Sequence, residues 1–131
     1  MKTKKIIALC LFLLAAVPGL SLARSDTQFY RNDKCVCFAD PTTLEHIGGP
    51  VYEIWVTVEF FDESVPTAFL VEHVDMNRYA SRRKRMFIRE GPREVDLPLG
   101  DVGEWHTIPA GSMDEALYDF LYELLRRKGK I

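Results

Sequence analysis

The chain has 131 residues, 47% of them hydrophobic and 27% charged, which suits one ordinary folded domain and excludes a disordered chain. The formal charge of −2 mixes two pieces: the first 23 residues carry Lys2, Lys4 and Lys5 and no acid, and the rest carry 14 bases against 19 acids, a charge near −5. That balance disfavours nucleic acid as a partner, and no internal repeat or low-complexity tract points to a solenoid or fibre.

Lys2, Lys4 and Lys5 are followed by an unbroken apolar run, Ile6 to Val17. Pro18 and Gly19 then break it, and Ser21-Leu22-Ala23 places small residues at −3 and −1 of a cleavage site. This is the three-part pattern of an export signal. The run is too short for the ~20 residues that span a bilayer, and nothing later is apolar enough to do so. Residues 1–23 are therefore expected to be a cleaved signal peptide, with Cys10 discarded in it. The mature chain would start at Arg24 in the periplasm or the extracellular medium.

Residues 24–33 are polar and read as a flexible N-terminal segment, and 34–131 as a single domain. Lys34–Ala39 reads as a short strand that brings Cys35 and Cys37 to one face. Three readings of this pair stay open: buried thiols or a strained local bridge, pairing with another chain, or a soft-metal site completed by a histidine. Thr42 and Glu45 have the spacing of a capping box, so a helical turn is expected there. Gly48-Gly49-Pro50 is a break.

Val51–Phe61 is the clearest strand. Tyr52, Ile54, Val56, Val58 and Phe60 fall on one face, and Glu53, Trp55, Thr57, Glu59 and Phe61 on the other. Strands follow at Ala68–Asp75, Lys84–Glu90, Glu94–Leu99 and Trp105–Ile108, separated by turns rich in proline and glycine. Ser112–Lys128 reads as a helix. Ser112 and Glu115 form a capping box, acids open it and bases close it. Met113, Ala116, Leu117, Phe120, Leu121, Leu124 and Leu125 make one apolar stripe, and Gly129 ends it. The fold class expected is α+β: a mostly antiparallel sheet of five or six strands with the C-terminal helix on one face.

Charge is segregated. Residues 35–77 hold eight acids and no lysine or arginine, and residues 78–93 hold seven bases and one acid. Cross-strand pairing of acidic and basic arms is one explanation, and docking of a charged partner is the other. The segment Arg82-Arg83-Lys84-Arg85 also has the form of a convertase processing site, and the arginines suit an anionic membrane or polyanion.

Glu72-His73-Val74-Asp75 is the one acid–histidine cluster, and His106 is a further candidate. No G-x-S-x-G, H-E-x-x-H or phosphate-cradling glycine loop accompanies them. Trp55, Phe61 and Trp105 are expected to form an aromatic patch on the sheet face away from the helix.

The functional expectation is an exported, non-catalytic binding protein of inhibitor, immunity or effector type. Its partner is another protein, no cofactor is implied, and Trp55, Phe61, Trp105, Arg82, Arg83 and Arg85 carry the contact. One alternative is a metal-binding protein or metal-dependent enzyme using Cys35, Cys37, His73, Asp75 and His106. The other is an anionic-membrane or polyanion binder using residues 78–93.

Overall fold

The computed structural model describes residues 26–131; the signal peptide and its cleavage after Ala23 lie outside them. Seven strands and one helix form an α+β fold. The strands are β1 (Thr27–Arg31), β2 (Cys35–Gly48), β3 (Val51–Phe60), β4 (Ala68–Asp75), β5 (Ala80–Glu90), β6 (Arg93–Asp96) and β7 (His106–Thr107), and the helix is α1 (Met113–Arg127). The sheet order is β1-β2-β3-β4-β5-β6, with β7 also on β5, and every pairing is antiparallel. Short hairpin connections impose this meander, because parallel pairing needs a crossover of a dozen or more residues.

Period-two alternation decides the faces. Cys35, Cys37 and Ala39 of β2, Ile54, Val56 and Val58 of β3, and Ala68, Leu70 and Val74 of β4 form the core under α1. Leu117, Leu121 and Leu125 of α1 close it, each 0% exposed. Burial of such a side chain contributes about 1.5–3 kcal/mol, so packing holds a helix too short to be stable alone. Ser112 caps α1 by accepting from the Glu115 N–H at 3.2 Å, and Glu115 Oε1 accepts from the Gly111 N–H at 2.8 Å.

Three local expectations are corrected. The segment expected to be loose contains β1, which pairs with β2 along Thr27↔Ala39 to Arg31↔Val36. Phe29 there packs 6.0 Å from Phe120 of α1, and Tyr30 packs against the core, so aromatic contacts outweigh a polar composition. The helical turn expected at Thr42–Glu45 is instead an irregularity within one long strand. Asp40 Oδ1 accepts from the Thr42 N–H at 3.0 Å, and the Trp55 N–H donates to Thr43 Oγ1 at 3.0 Å. Side chains thus satisfy the backbone where the ladder is interrupted. The expected strand Lys84–Glu90 starts earlier, at Ala80, because β5 carries an extra residue: Val71 pairs with Arg85 and Glu72 with Arg83, leaving Lys84 bulged.

The β4–β5 turn holds Tyr79 at φ 53°, a conformation that side chains rarely adopt. Its hydroxyl donates to Glu115 Oε2 at 2.8 Å and its ring stands edge-on to Tyr118 at 4.8 Å. Part of what holds this turn is therefore supplied by α1, beside the Ile108 N–H, which donates to the Tyr79 carbonyl at 3.1 Å. No helix among the described residues is long and apolar enough to cross a membrane.

Candidate functional site: the sheet face away from the helix

The face opposite α1 is built in rows by the strand register. One row runs Phe38–Thr57–Phe69–Phe87, the next Asp40–Trp55–Val71–Arg85, and the next Glu53–His73–Arg82. Residues in a row sit side by side on one surface. Phe87 lies at the centre and is 0% exposed. Phe69 stacks on it at 5.3 Å and Trp55 meets it edge-on at 6.1 Å. The Arg85 guanidinium lies 4.1 Å over Phe87, and Arg89 lies 4.4 Å over Phe69. These cation–π contacts cover the rings while leaving charge at the surface. Phe38, Trp55 and Phe69 stay half-buried.

Charge divides across this face. Asp40, Glu53 and Glu59 stand on β2 and β3, and Arg82, Arg85 and Arg89 stand on β5. Between them, His73 Nε2 meets Glu53 Oε1 at 2.9 Å, and Arg82 donates to His73 Nδ1 at 3.4 Å. The arginine donor places the ring hydrogen on Nε2, so the histidine donates to Glu53. Both ring nitrogens are occupied and His73 is 4% exposed, which makes it a positioning element rather than an accessible base.

The expected aromatic trio is not one patch. Trp55 is central, but Phe61 lies beyond the end of β3 beside Asp33, Lys34, Asp62 and Val65, under Arg31 at 4.8 Å. Trp105 lies at the other end, beside Pro50, Val51 and Asp75, under Arg82 at 5.2 Å. Phe61 and Trp105 are half-exposed at opposite ends of β3. The bases are also divided. Arg82 and Arg85 share the helix-free face because of the bulge at Lys84, whereas Arg83 points to the helix side and donates to Glu72 Oε2 at 2.6 Å. Arg85 donates to Asp96 at 2.7 Å and to Glu94 at 3.0 Å, and Arg93 to Glu90 at 2.6 Å. Much of the basic run is therefore paired with acids of its own β5–β6 hairpin, beyond residues 35–77.

The proposed metal ligands are scattered. Cys35 and Cys37 are buried, free thiols in the core. Burial and the neighbouring Cys35 push the Cys37 thiol up to about 12, so it is protonated near neutrality. Asp75 caps the following turn by accepting from the Asn77 and Arg78 N–H groups, each at 3.0 Å. His106 sits on the helix side. Among the described residues, no group of three His, Cys, Asp or Glu is placed to hold a metal ion.

Under the N-terminus of α1 lies a second polar cluster. Asp114 Oδ2 accepts from Ser81 Oγ at 2.8 Å and lies 3.2 Å from His106 Nε2, while His106 Nδ1 lies 3.0 Å from the Glu104 carbonyl. The Glu104 carbonyl and Asp114 both favour the charged ring and raise the His106 pKa, against its partial burial. Ser81 and His106 converge on one carboxylate oxygen, which makes Asp114 a hub. Ser81 Oγ also lies 3.4 Å from His106 Nε2, but it donates to Asp114 at the shorter 2.8 Å and is 1% exposed, which closes it to a substrate. Glu72, 1% exposed, is pushed up to about 7: burial outweighs the adjacent Arg83, and Asp114 adds repulsion.

Phe69 and Phe87 also belong to the helix-free face, which the sequence alone does not assign to a site, and Arg89 brings the basic run 78–93 onto it. Their signal was present, since Phe87 opposes Met86 and Ile88 in β5, but only strand pairing brings them beside Trp55. Comparison with protein-family models, with curated proteins and with solved structures gives no match.

Proposed function

We propose that this is an exported, non-catalytic binding protein that engages another protein through the helix-free face of its sheet. The observation that carries this reading is the half-buried state of Phe38, Trp55 and Phe69, on a face that no described element covers, between acidic β2–β3 and basic β5. Aromatic side chains and arginine are the residue types that dominate protein–protein contact energy. Stacking under Arg89 fixes Phe69, and the edge-on contact with Phe87 orients Trp55, which reduces the side-chain freedom to be lost on docking.

The polyanion reading has less support. Arg83 faces the opposite side, and Arg85 and Arg93 are already paired with carboxylates. The export reading rests on the basic, apolar and small-residue pattern of residues 1–23.

Capture from the cell that makes the protein tests the proposal. The mature chain is immobilised alongside Thr57→Arg, in the middle of the face, and Tyr122→Arg, on the outer side of α1. Binding proteins retained by the wild type and by Tyr122→Arg but lost from Thr57→Arg are the expected result. Identical capture by all three would refute the assignment of the face.

A further inference from the structure

We infer that the molecule fitting this face is a second copy of the chain, paired face to face about a two-fold axis parallel to the strands and passing over β4. The inference rests on the proposal that the face binds protein, and it names the partner.

The register carries the argument. The rows place Trp55 level with Arg85 and Glu53 level with Arg82, with β4 midway between β3 and β5 in each. Thr57 and Phe87 share a row through Phe69, and β3 and β5 run in the same direction, so Glu59 and Arg89, two residues further on, are level as well. A two-fold axis over β4 keeps each row in place and exchanges β3 with β5. Every Glu59 then opposes the other copy's Arg89, every Glu53 its Arg82, and every Trp55 its Arg85. Val71, 5% exposed, is covered by its own neighbours, and Phe69 lies on the axis beneath Arg89.

The Arg85 and Arg89 guanidiniums lie over Phe87 and Phe69, and the acids of β3 stand across β4 from these arginines. Isologous pairing sets the acidic half of each copy against the basic half of the other. The perpendicular in-plane axis would bring acid against acid and base against base, so charge selects the orientation. Two sheets packed this way lie about 10 Å apart with strands within about 30° of each other. Arg85 keeps its links to Glu94 and Asp96, while Arg89, 52% exposed and 3.7 Å from Glu94, carries the more available charge.

Charge exchange between copies tests the pairing. The mature wild-type chain is expected to sediment as a concentration-dependent dimer. Glu59→Arg and Arg89→Glu each place like charges across both symmetric contacts and should raise the dissociation constant roughly tenfold or more. An equimolar mixture of the two variants should dimerise again. In the mixed pair the arginine introduced in one variant meets the glutamate introduced in the other, and the second contact is the native Glu59 against the native Arg89.

A wild-type chain that stays monomeric at hundreds of micromolar overturns the inference. So does a dimer that neither variant weakens, or a mixture without rescue. In those cases the binding role of the face still stands or falls on the Thr57→Arg capture. Should a variant fail to fold, the wild-type Trp55 indole resonance gives a separate reading. Its concentration-dependent shift supports the pairing, and its invariance alongside a dimer contradicts it.

Discussion

Replacing Glu72 with glutamine removes an ionisable group from a polar position that is 1% exposed. The Glu72 carboxyl rises from 4.5 to about 7 because burial outweighs the Arg83 contact. Between those values the native state holds a proton that the unfolded chain has released, so stability is greatest in acid and falls as pH climbs toward 7. At about 1.36 kcal/mol per pH unit the full loss is about 3 kcal/mol, most of it between pH 5 and pH 8. The groups facing Glu72 are Arg83 from β5, His106 from β7 and Asp114 from α1. His106, also raised, works in the same direction: its contribution is present at low pH and fades as pH rises past its folded value. Urea unfolding followed by tryptophan fluorescence at pH 5, 6, 7 and 8 measures the slope. The wild type should lose stability across the series, and thermal unfolding at the same pH values should show a fall in melting temperature on the order of 10 °C. Glu72→Gln keeps an acceptor for Arg83 and should lose most of that slope. A wild type equally stable at pH 5 and pH 8, or a variant that retains the whole slope, would refute the reasoning.

The remaining predictions concern export, the thiols and the core. Sequencing of the protein recovered from the producing cell should give Arg24 as the N-terminal residue, whereas recovery only as a chain starting at Met1 would contradict export. Cys35 and Cys37 should resist alkylation in the native protein at pH 8 and react fully in denaturant, since both are buried and burial keeps the Cys37 thiol protonated; rapid native labelling would place them elsewhere. Leu121→Ala should cost about 2–5 kcal/mol by calorimetry or denaturant titration, and a cost under about 1 kcal/mol would mean that α1 is not seated on the sheet.

Period was legible in the sequence, and pairing was not. The alternation of Val51–Phe61 and the stripe and caps of α1 are local, so β3 and the helix emerge from short windows with their buried faces assigned. The bulge at Lys84 leaves no comparable signal, yet it alone puts Arg82 with Arg85 on one face and sends Arg83 to Glu72. Thr42 and Glu45 have capping-box spacing, but Asp40 and Thr43 use their side chains to bridge an interrupted ladder. Alternation along β3 alone places Trp55 off the core face. Its partners Phe69 and Phe87 come from strands 14 and 32 residues away, and only the register connects them. Trp105 and Phe61 share the aromatic character of Trp55 but sit at opposite ends of the sheet, a separation that spacing along the chain does not encode.

Site-specific photo-crosslinking in the producing cell tests the central claim most directly. A photoreactive residue replaces Thr57 on the helix-free face in one variant and Tyr122 on the outer surface of α1 in another. The account predicts a discrete protein adduct from position 57 and none from position 122, with two copies of this chain in that adduct if the self-pairing holds. Adducts from position 122 alone, or equally from both, would contradict it.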